Sequence, residues 1–136
     1  MTENSKVLAL KYRPQVFEDL IGQEIIAETI KNSIISEKSP NAFLFTGIRG
    51  VGKTTFARIV AKSLNCEHGI ENMCKKKCNN CDAITNSNHI DVLEMDAASK
   101  TGVDDVRELI EFSRYGPTTA KSVSYTHLTL PTILLV

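Results

Sequence analysis

The residues best suited to chemistry form a glycine-rich loop that fits the pattern G-x-x-x-x-G-K-S/T at every position. They are Gly47, Ile48, Arg49, Gly50, Val51, Gly52, Lys53 and Thr54. Glycines allow the backbone to curl so that successive N–H groups surround a triphosphate. In such a loop the lysine places its charge on the β- and γ-phosphates, and the final hydroxyl can ligate Mg²⁺. The pattern predicts a phosphate-binding loop in which Lys53 and Thr54 serve the chemistry and Thr55 adjoins the ligand.

The residues on either side of the loop have the pattern that such a loop requires. Residues 42–46 form a short apolar run and are predicted to be a buried strand. After the loop, Phe56, Ile59, Val60 and Leu64 recur at helical spacing. That helix would direct the positive end of its dipole at a bound anion. Strand, loop and helix in this order favour a nucleotide site over an accidental glycine-rich turn.

A second group of reactive residues, the cysteines, follows the glycine loop in the sequence. All four cysteines, Cys66, Cys74, Cys78 and Cys81, fall within residues 66–81. Short spacers between four thiolates suit a tetrahedral zinc ion, and four protein ligands would make the site structural. Two disulfides or four unrelated cysteines are the alternatives, and disulfides are disfavoured in a reducing compartment. His68 is a competing ligand, and residues 75–77, all lysines, would favour the thiolate forms.

Composition sets broad limits on the function. The 136 residues suffice for one domain or part of one. Lys and Arg number 16 and Asp and Glu number 16, so net charge indicates neither a nucleic-acid nor a membrane partner. The first twenty residues are polar and charged, and no run approaches the roughly 20 apolar residues of a spanning helix. We therefore expect a cytoplasmic protein with no membrane association.

The rest of the chain alternates between predicted helices and strands. Residues 1–22 are predicted to be irregular or to hold a short helical turn, because Arg13-Pro14 disfavours a continuous helix. A helix is predicted from Gln23, with an isoleucine stripe at 26, 30 and 34. Further predictions are a brief helix at 82–87, a strand at 90–95 that His89 begins, and an amphipathic helix from 103 to Gly116-Pro117. This order indicates an α/β fold with a mainly parallel sheet.

Five segments together carry a family resemblance. They are residues 12–23, the loop at 47–55, the cysteine cluster directly after the loop's helix, residues 94–99 and residues 102–107. Over residues 7 to about 121 the chain resembles the N-terminal part of the gamma/tau subunit of bacterial DNA polymerase III, the ATPase of the sliding-clamp loader. The combination of this loop with this cysteine insertion is far more specific than the loop alone.

The resemblance implies a fold, an activity and a set of ligands. Residues 1–121 would be a partial AAA+ P-loop ATPase domain with a zinc module at about 66–81. ATP and Mg²⁺ would bind at Gly47 to Thr54, and Zn²⁺ at the four cysteines. Tyr12, Arg13 and Pro14 would lie near the adenine and ribose, although core packing is the alternative for Tyr12 and Phe17.

The resemblance also implies a role in replication. The chain would be an ATPase of the clamp loader within the DNA-directed DNA polymerase III holoenzyme, using ATP binding and hydrolysis to place a ring-shaped clamp on DNA. Its partners would be the other clamp-loader subunits, the sliding clamp, the polymerase core and primer-template DNA. Ser99, Lys100 and Thr101 would suit a DNA phosphate at the start of the last helix, with an ordinary helix cap by Ser99 or Thr101 as the alternative.

The last fifteen residues depart from the family pattern. No Asp or Glu follows Glu111, whereas the family places an acidic pair soon after residue 121 to position Mg²⁺ and water. Pro131 would also interrupt a central strand. We therefore predict that residues 122–136 are a foreign tail and that this chain is unable to hydrolyse ATP at a useful rate. The alternative is a divergent strand at Tyr125–Leu130.

Three other functions compete with the clamp-loader prediction. A different AAA+ machine acting on DNA would share the loop but lacks a reason for the cysteine cluster. A non-catalytic, zinc-bearing interaction module would need no nucleotide, and the intact Lys53-Thr54 pair argues against it. A P-loop kinase would need an acceptor site, for which the sequence offers no candidate.

Overall fold

The computed structural model describes residues 7–95, 102–116, 118, 124–127 and 132–135. Its helices are α1 (Leu8–Lys11), α2 (Glu24–Ile35), α3 (Lys53–Asn65), α4 (Asn79–Thr85) and α5 (Val103–Arg114). Two 3₁₀ turns span Phe17–Asp19 and Ile70–Asn72. The strands are β1 (Ala42–Phe45), β2 (Val92–Met95), β3 (Ser124–His127) and β4 (Thr132–Leu135). In the described part of the chain, no helix has the length and apolar character to cross a membrane.

The four strands form one sheet in the order β1-β4-β3-β2. The β2–β3 pair is parallel, whereas β3–β4 and β4–β1 are antiparallel. The prediction of a mainly parallel sheet is therefore wrong: the sheet is mixed. Only residues 128–131 separate β3 from β4, and a parallel pair would need a crossover of a dozen or more residues.

The end of the chain contributes half of this sheet. β4 lies between β1 and β3, with Phe43 opposite Leu134 and Tyr125 opposite Leu135. The alternative strand at Tyr125–Leu130 overlaps β3 but begins one residue later. Pro131 lies outside the described residues. Secondary structure does not record the origin of a segment, so the assignment of 122–136 as a foreign tail stays a prediction.

The ends of the helices follow from local chemistry. Gly52, in the left-handed region, immediately precedes α3, and the backbone becomes extended at Cys66, where α3 ends. The brief helix predicted at 82–87 begins three residues earlier as α4, because the Cys78 sulfur accepts a hydrogen bond from the N–H of Cys81 and caps it. α5 follows Gly102, and the two residues of the alternative helix cap, Ser99 and Thr101, precede that glycine. Residues 99–101 themselves lie outside the described residues.

A core of aromatic and aliphatic side chains packs against one face of α3. The rings of Phe17 and Phe45 contact that of Phe56, with centroids 6.1 and 5.2 Å apart. Ile59 and Val60 are fully buried beside them. The core-packing alternative is correct for Phe17, which is 5% exposed, and wrong for Tyr12, which is 72% exposed.

Two predicted apolar surfaces are only partly buried. In β1, Phe43 is buried but Leu44 is 59% exposed, so the run at 42–46 is not the fully buried strand that was predicted. On α2, Ile30 is buried and Ile34 packs against the core, whereas Ile26 is half-exposed. The two exposed side chains, Ile26 and Leu44, lie at the same cleft, which is beside the glycine loop.

Candidate nucleotide and metal sites

The glycine loop owes its shape to three residues with positive φ. Gly47, Gly50 and Gly52 have φ values of 149°, 86° and 97°, a region that side chains other than glycine rarely adopt. A Cβ added at Gly50 or Gly52 would meet no atom within 4 Å. Backbone conformation, rather than lack of space, therefore explains the glycines at these two positions. Residues 47–51 are exposed, so the loop presents its backbone to a ligand.

Lys53 holds its ammonium group inside this loop. The side chain is buried, and Nζ donates hydrogen bonds to the carbonyl oxygens of Gly47 at 3.0 Å and Ile48 at 2.7 Å. A lysine has three donor hydrogens, so one remains for a phosphate oxygen. The loop carbonyls thus fix the charge at the place where the sequence pattern requires it.

The first turn of α3 supplies further donors beside that charge. The first hydrogen bond of the helix runs from the N–H of Phe56 to the carbonyl of Gly52. The N–H groups of Lys53, Thr54 and Thr55 precede it and have no partner within the helix, as in the first turn of any helix. Together with the helix dipole they favour an anion at this end of α3.

Two clefts lie beside α3. One, of about 310 Å³, is bounded by Val51, Gly52 and Lys53 of the loop and by side chains of α2 and β1. The other, of about 250 Å³, lies between the N-terminal segment and α3; Arg13, Pro14, Thr55 and Arg58 are among its lining residues. Of the three residues predicted near the adenine, Arg13 and Pro14 line the second cleft. Tyr12 does not, and its ring lies 5.4 Å from the Lys11 ammonium.

An ion pair links the same helix to β2. Nε and Nη2 of the Arg58 guanidinium group both donate to the carboxylate of Glu94, with Nε 2.9 Å from Oε2. Glu94 also accepts from the hydroxyl of Ser87 at 3.0 Å. Burial and the charge of Arg58 lower the pKa of Arg13, and Glu94 partly offsets this; both arginines line the same cleft. The sequence gives no local signal for this pair, because Arg58 and Glu94 lie 36 positions apart.

Three of the four cysteines come together at the other end of α3. The sulfurs of Cys66, Cys78 and Cys81 all lie within 4.8 Å of one another, and the three side chains are buried. Zinc bonds of about 2.3 Å to sulfur would place tetrahedral ligands about 3.8 Å apart. The observed trio therefore fits a zinc ion after a small contraction, and no disulfide joins the cysteines in this structure.

Cys74 stands apart from this trio but remains near it. Its side chain is half-buried, packs against the core and interacts with the thiol of Cys81, yet it is not one of the three close sulfurs. Its φ of 59° is unusual for a residue other than glycine. His68, the competing ligand, instead lies with Nε2 3.2 Å from the carbonyl oxygen of Lys77.

The thiols of the trio differ in their acid–base character. Burial alone would raise the pKa of Cys78, but hydrogen bonds from the backbone N–H groups of Glu67 and Cys81 prevail and lower it. Burial, reinforced by Cys78 and Cys74, strongly raises the pKa of Cys81. A coordinated metal ion deprotonates its thiol ligands outright and would reverse the rise at Cys81.

The cation beside the cysteines is not one that the sequence suggested. Residues 75–77 are exposed lysines, whereas Lys62 is buried, and its ammonium interacts with Cys74 and Cys81. Burial lowers the pKa of Lys62, and the cysteines act in the opposite direction. Lys62 also donates to the side-chain oxygen of Gln15, an acceptor that sequence analysis missed. The sequence signal that could have pointed to Lys62 was its position in α3, three residues after the buried Ile59.

Comparisons with known proteins assign the chain to a family. Residues 22–125 match the family described as DNA polymerase III, delta subunit. The chain is 48% identical over 122 residues to DNA polymerase III subunit gamma of Buchnera aphidicola subsp. Baizongia pistaciae, an alignment covering 90% of this chain and 33% of that protein. It is 45% identical over 112 residues to DNA polymerase III subunit tau of Escherichia coli K12, covering 82% and 17%.

These matches confirm the resemblance drawn from the sequence. The chain belongs to the DNA polymerase III, delta subunit family, and its relatives are named as gamma and tau subunits of DNA polymerase III. It spans a third or less of the length of these relatives.

Proposed function

We propose that the chain is the ATP-binding part of a DNA polymerase III clamp-loader subunit, with an AAA+ fold. The observation that carries this proposal is the buried Lys53 ammonium, held inside a glycine loop at the start of α3. Loop N–H groups, the helix dipole and Lys53 all favour one polyanion at the same place. The family and the names of the relatives supply the replication setting.

Different residues would bind different parts of Mg·ATP. Gly47 to Gly52 would surround the phosphates with backbone N–H groups, and the third hydrogen of the Lys53 ammonium would contact a β- or γ-phosphate oxygen. Thr54 would hold Mg²⁺, which neutralises charge on the phosphates. Arg13 and Pro14 line the neighbouring cleft and would contact the nucleoside.

The cysteine cluster would serve stability rather than turnover. Cys66, Cys78 and Cys81 with Cys74 as the fourth ligand would bind Zn²⁺ and leave no open coordination position. Burial of the trio within the core supports a structural role.

Hydrolysis depends on groups that the present residues do not supply. The sequence has no Asp or Glu after Glu111 to position Mg²⁺ and an attacking water. We expect the 136-residue chain to bind ATP with little turnover. In the cytoplasm, a chain carrying this domain and the acidic pair would join the other loader subunits, the clamp, the polymerase core and primed DNA.

A clamp-loading assay tests the role directly. A chain that carries this domain together with the acidic pair, assembled with the remaining loader subunits, should place a labelled clamp on primed circular DNA when ATP is present. Replacement by the Lys53→Ala chain should abolish loading. Lys53→Arg retains the positive charge, so it separates the effect of the charge from the effect of the loop's geometry. Equal loading by the wild-type and Lys53→Ala complexes would overturn the proposal.

The main competitor is a zinc-bearing interaction module that needs no nucleotide. The buried cysteine trio favours it, since that cluster would stabilise the fold whether or not ATP binds. A folded, zinc-loaded chain that shows no affinity for Mg·ATP would favour this second function.

A further inference from the structure

One side chain connects the N-terminal segment, α3 and the cysteine-bearing helix. The side-chain oxygen of Gln15 accepts a hydrogen bond from the ammonium of Lys62 on α3. The same oxygen lies 3.3 Å from the hydroxyl of Thr85 on α4. Because Lys62 and Thr85 are 47 and 70 positions from Gln15, the three elements meet only in the folded chain.

On one side, Gln15 is linked to the cysteine cluster through both of its partners, Thr85 and Lys62. Thr85 lies four residues after Cys81, and its hydroxyl also donates to the Cys81 carbonyl oxygen at 2.8 Å. A hydroxyl has one hydrogen, so Thr85 shares it between that carbonyl and Gln15. The Lys62 ammonium, in turn, interacts electrostatically with Cys74 and Cys81. A change in the charge or spacing of the thiols therefore acts on both partners of Gln15.

On the other side, Gln15 fixes the N-terminal segment that lines the cleft along α3. Its side-chain N–H donates to the carbonyl oxygen of Arg13 at 3.1 Å, and its backbone N–H donates to the carboxylate of Asp19 at 3.2 Å. Arg13 and Pro14 then face Thr55 across the cleft of about 250 Å³. The position of this wall depends on where Gln15 is held.

We propose that Gln15 is a positioning residue that couples zinc occupancy of the cysteine cluster to the affinity for nucleotide. With zinc bound, α4 and Lys62 hold Gln15, and Gln15 holds Arg13 and Pro14 against the start of α3. Loss of zinc releases Thr85 and Lys62, so Gln15 no longer holds Arg13 and Pro14 in place at the wall of the cleft. The inference rests on the proposed nucleotide site and on the fit of zinc to the cluster, and it goes beyond a purely structural role for the metal.

The test measures how nucleotide affinity depends on zinc. The dissociation constant of a fluorescent ATP analogue is determined for the full chain before and after treatment with a zinc-selective chelator that leaves Mg²⁺ in solution. Coupling of the usual size predicts that zinc removal weakens binding about fivefold or more. Because coupling between two binding sites is reciprocal, saturating Mg·ATP should strengthen zinc binding by the same factor in competition with a colorimetric chelator.

Substitutions separate coupling from general unfolding. In Gln15→Ala, affinity should already be weakened and should no longer respond to zinc removal. Gln15→Glu keeps an acceptor for Lys62 and Thr85 but loses the N–H that donates to the Arg13 carbonyl oxygen, so its zinc dependence should be reduced. Thr85→Val should reduce the dependence, whereas Thr85→Ser, which keeps the hydroxyl, should preserve it.

Three results would overturn the inference, and they differ from failure of the nucleotide site. The first is an equal affinity of the wild-type chain with and without zinc. The second is a Gln15→Ala chain that loses affinity on chelation as the wild type does, which is the behaviour of general unfolding. The third is a zinc affinity that Mg·ATP does not change. A zinc-loaded wild-type chain that binds no nucleotide would instead overturn the proposed function itself.

Discussion

The glycine loop and the cysteine cluster lie at opposite ends of α3, and they are built in opposite ways. α3 spans 13 residues, about 20 Å, from Lys53 to the residue before Cys66. The loop is a contiguous run whose shape comes from backbone dihedral angles, and residues 47–51 are exposed. The cluster joins residues from both sides of an irregular segment, and its sulfurs are buried within the core.

This difference predicts different responses to substitution. A change in the exposed loop alters ligand contacts while removing little packing, so it should reduce binding more than stability. A change in the cluster removes buried atoms and a metal ligand together, so it should reduce stability first. Helix α3 connects the two regions, so substitutions of its fully buried residues Ile59 and Val60 should affect both properties.

The largest effect on stability is expected for Cys81→Ala. It removes a buried sulfur from the trio and one zinc ligand, so the free energy of unfolding should fall by about 3 kcal/mol or more. Thermal unfolding and zinc content of the purified variant measure this. Ser63→Ala, which removes a buried hydroxyl near the same end of α3, is the matched control and should cost only about 1 kcal/mol. Equal losses for the two variants would show that the cluster contributes no special stability.

The next largest effect is expected at the Arg58–Glu94 pair. Arg58→Ala leaves the carboxylate of Glu94, which is 10% exposed, without its bidentate partner. Removing one member of such a buried pair costs about 3 kcal/mol. Urea unfolding of the two single variants and of Arg58→Ala/Glu94→Gln forms a double-mutant cycle. The double variant should be more stable than the sum of the single losses predicts, and strict additivity would contradict the pairing.

A smaller effect is expected for Gly52→Ala at the start of α3. The φ of 97° is strained for alanine, although the added Cβ would meet no atom within 4 Å. Such strain costs about 1–2 kcal/mol, and relief of it would distort the loop and weaken ATP binding. Gly116→Ala is the control, since that glycine lacks a positive φ and also has open space. If both variants unfold and bind alike, the loop does not depend on this backbone conformation.

The smallest expected effect concerns pH and the exposed Glu18–Lys31 pair. The hydrogen bond from Lys31, 2.8 Å long, lowers the pKa of Glu18 below its ordinary value of 4.5. A lowered pKa in the folded state means that the contribution is complete above pH 4.5 and is lost as the pH falls through the lowered value. Because Glu18 is largely exposed, the contribution should stay below about 1 kcal/mol. Glu18→Gln should slightly flatten the acid limb of the unfolding curve; a steeper limb would reverse the assigned sign.

The same contrast explains what could be predicted from the sequence. The loop, the start of α3 and β1 were predictable because each depends on neighbours along the chain, such as Gly52 before Lys53. The cysteine cluster was predictable as a group from its short spacing. The separation of Cys74 from the close trio was not, because it depends on the local backbone, where φ at Cys74 is 59°.

Contacts between distant segments were beyond the sequence patterns. Nothing local marks Gln15 as the acceptor for Lys62 and Thr85, or Glu94 as the partner of Arg58. Strand directions were mispredicted because the alternation of helices and strands suggested crossovers, whereas β3 and β4 are separated by four residues only. The exposure of Tyr12 could not be predicted either, because an aromatic residue in an irregular segment gives no periodic signal.

Calorimetric titration of Mg·ATP into the folded, zinc-loaded chain measures whether the glycine loop is a nucleotide site. We predict saturable binding at one site and an affinity at least about tenfold weaker for Lys53→Ala, because that variant loses a hydrogen bond from a charged group to phosphate. The unfolding midpoint of Lys53→Ala in the absence of nucleotide should remain close to that of the wild type. No binding by the folded wild-type chain, or equal binding by Lys53→Ala, would contradict the assignment of this loop as the nucleotide site.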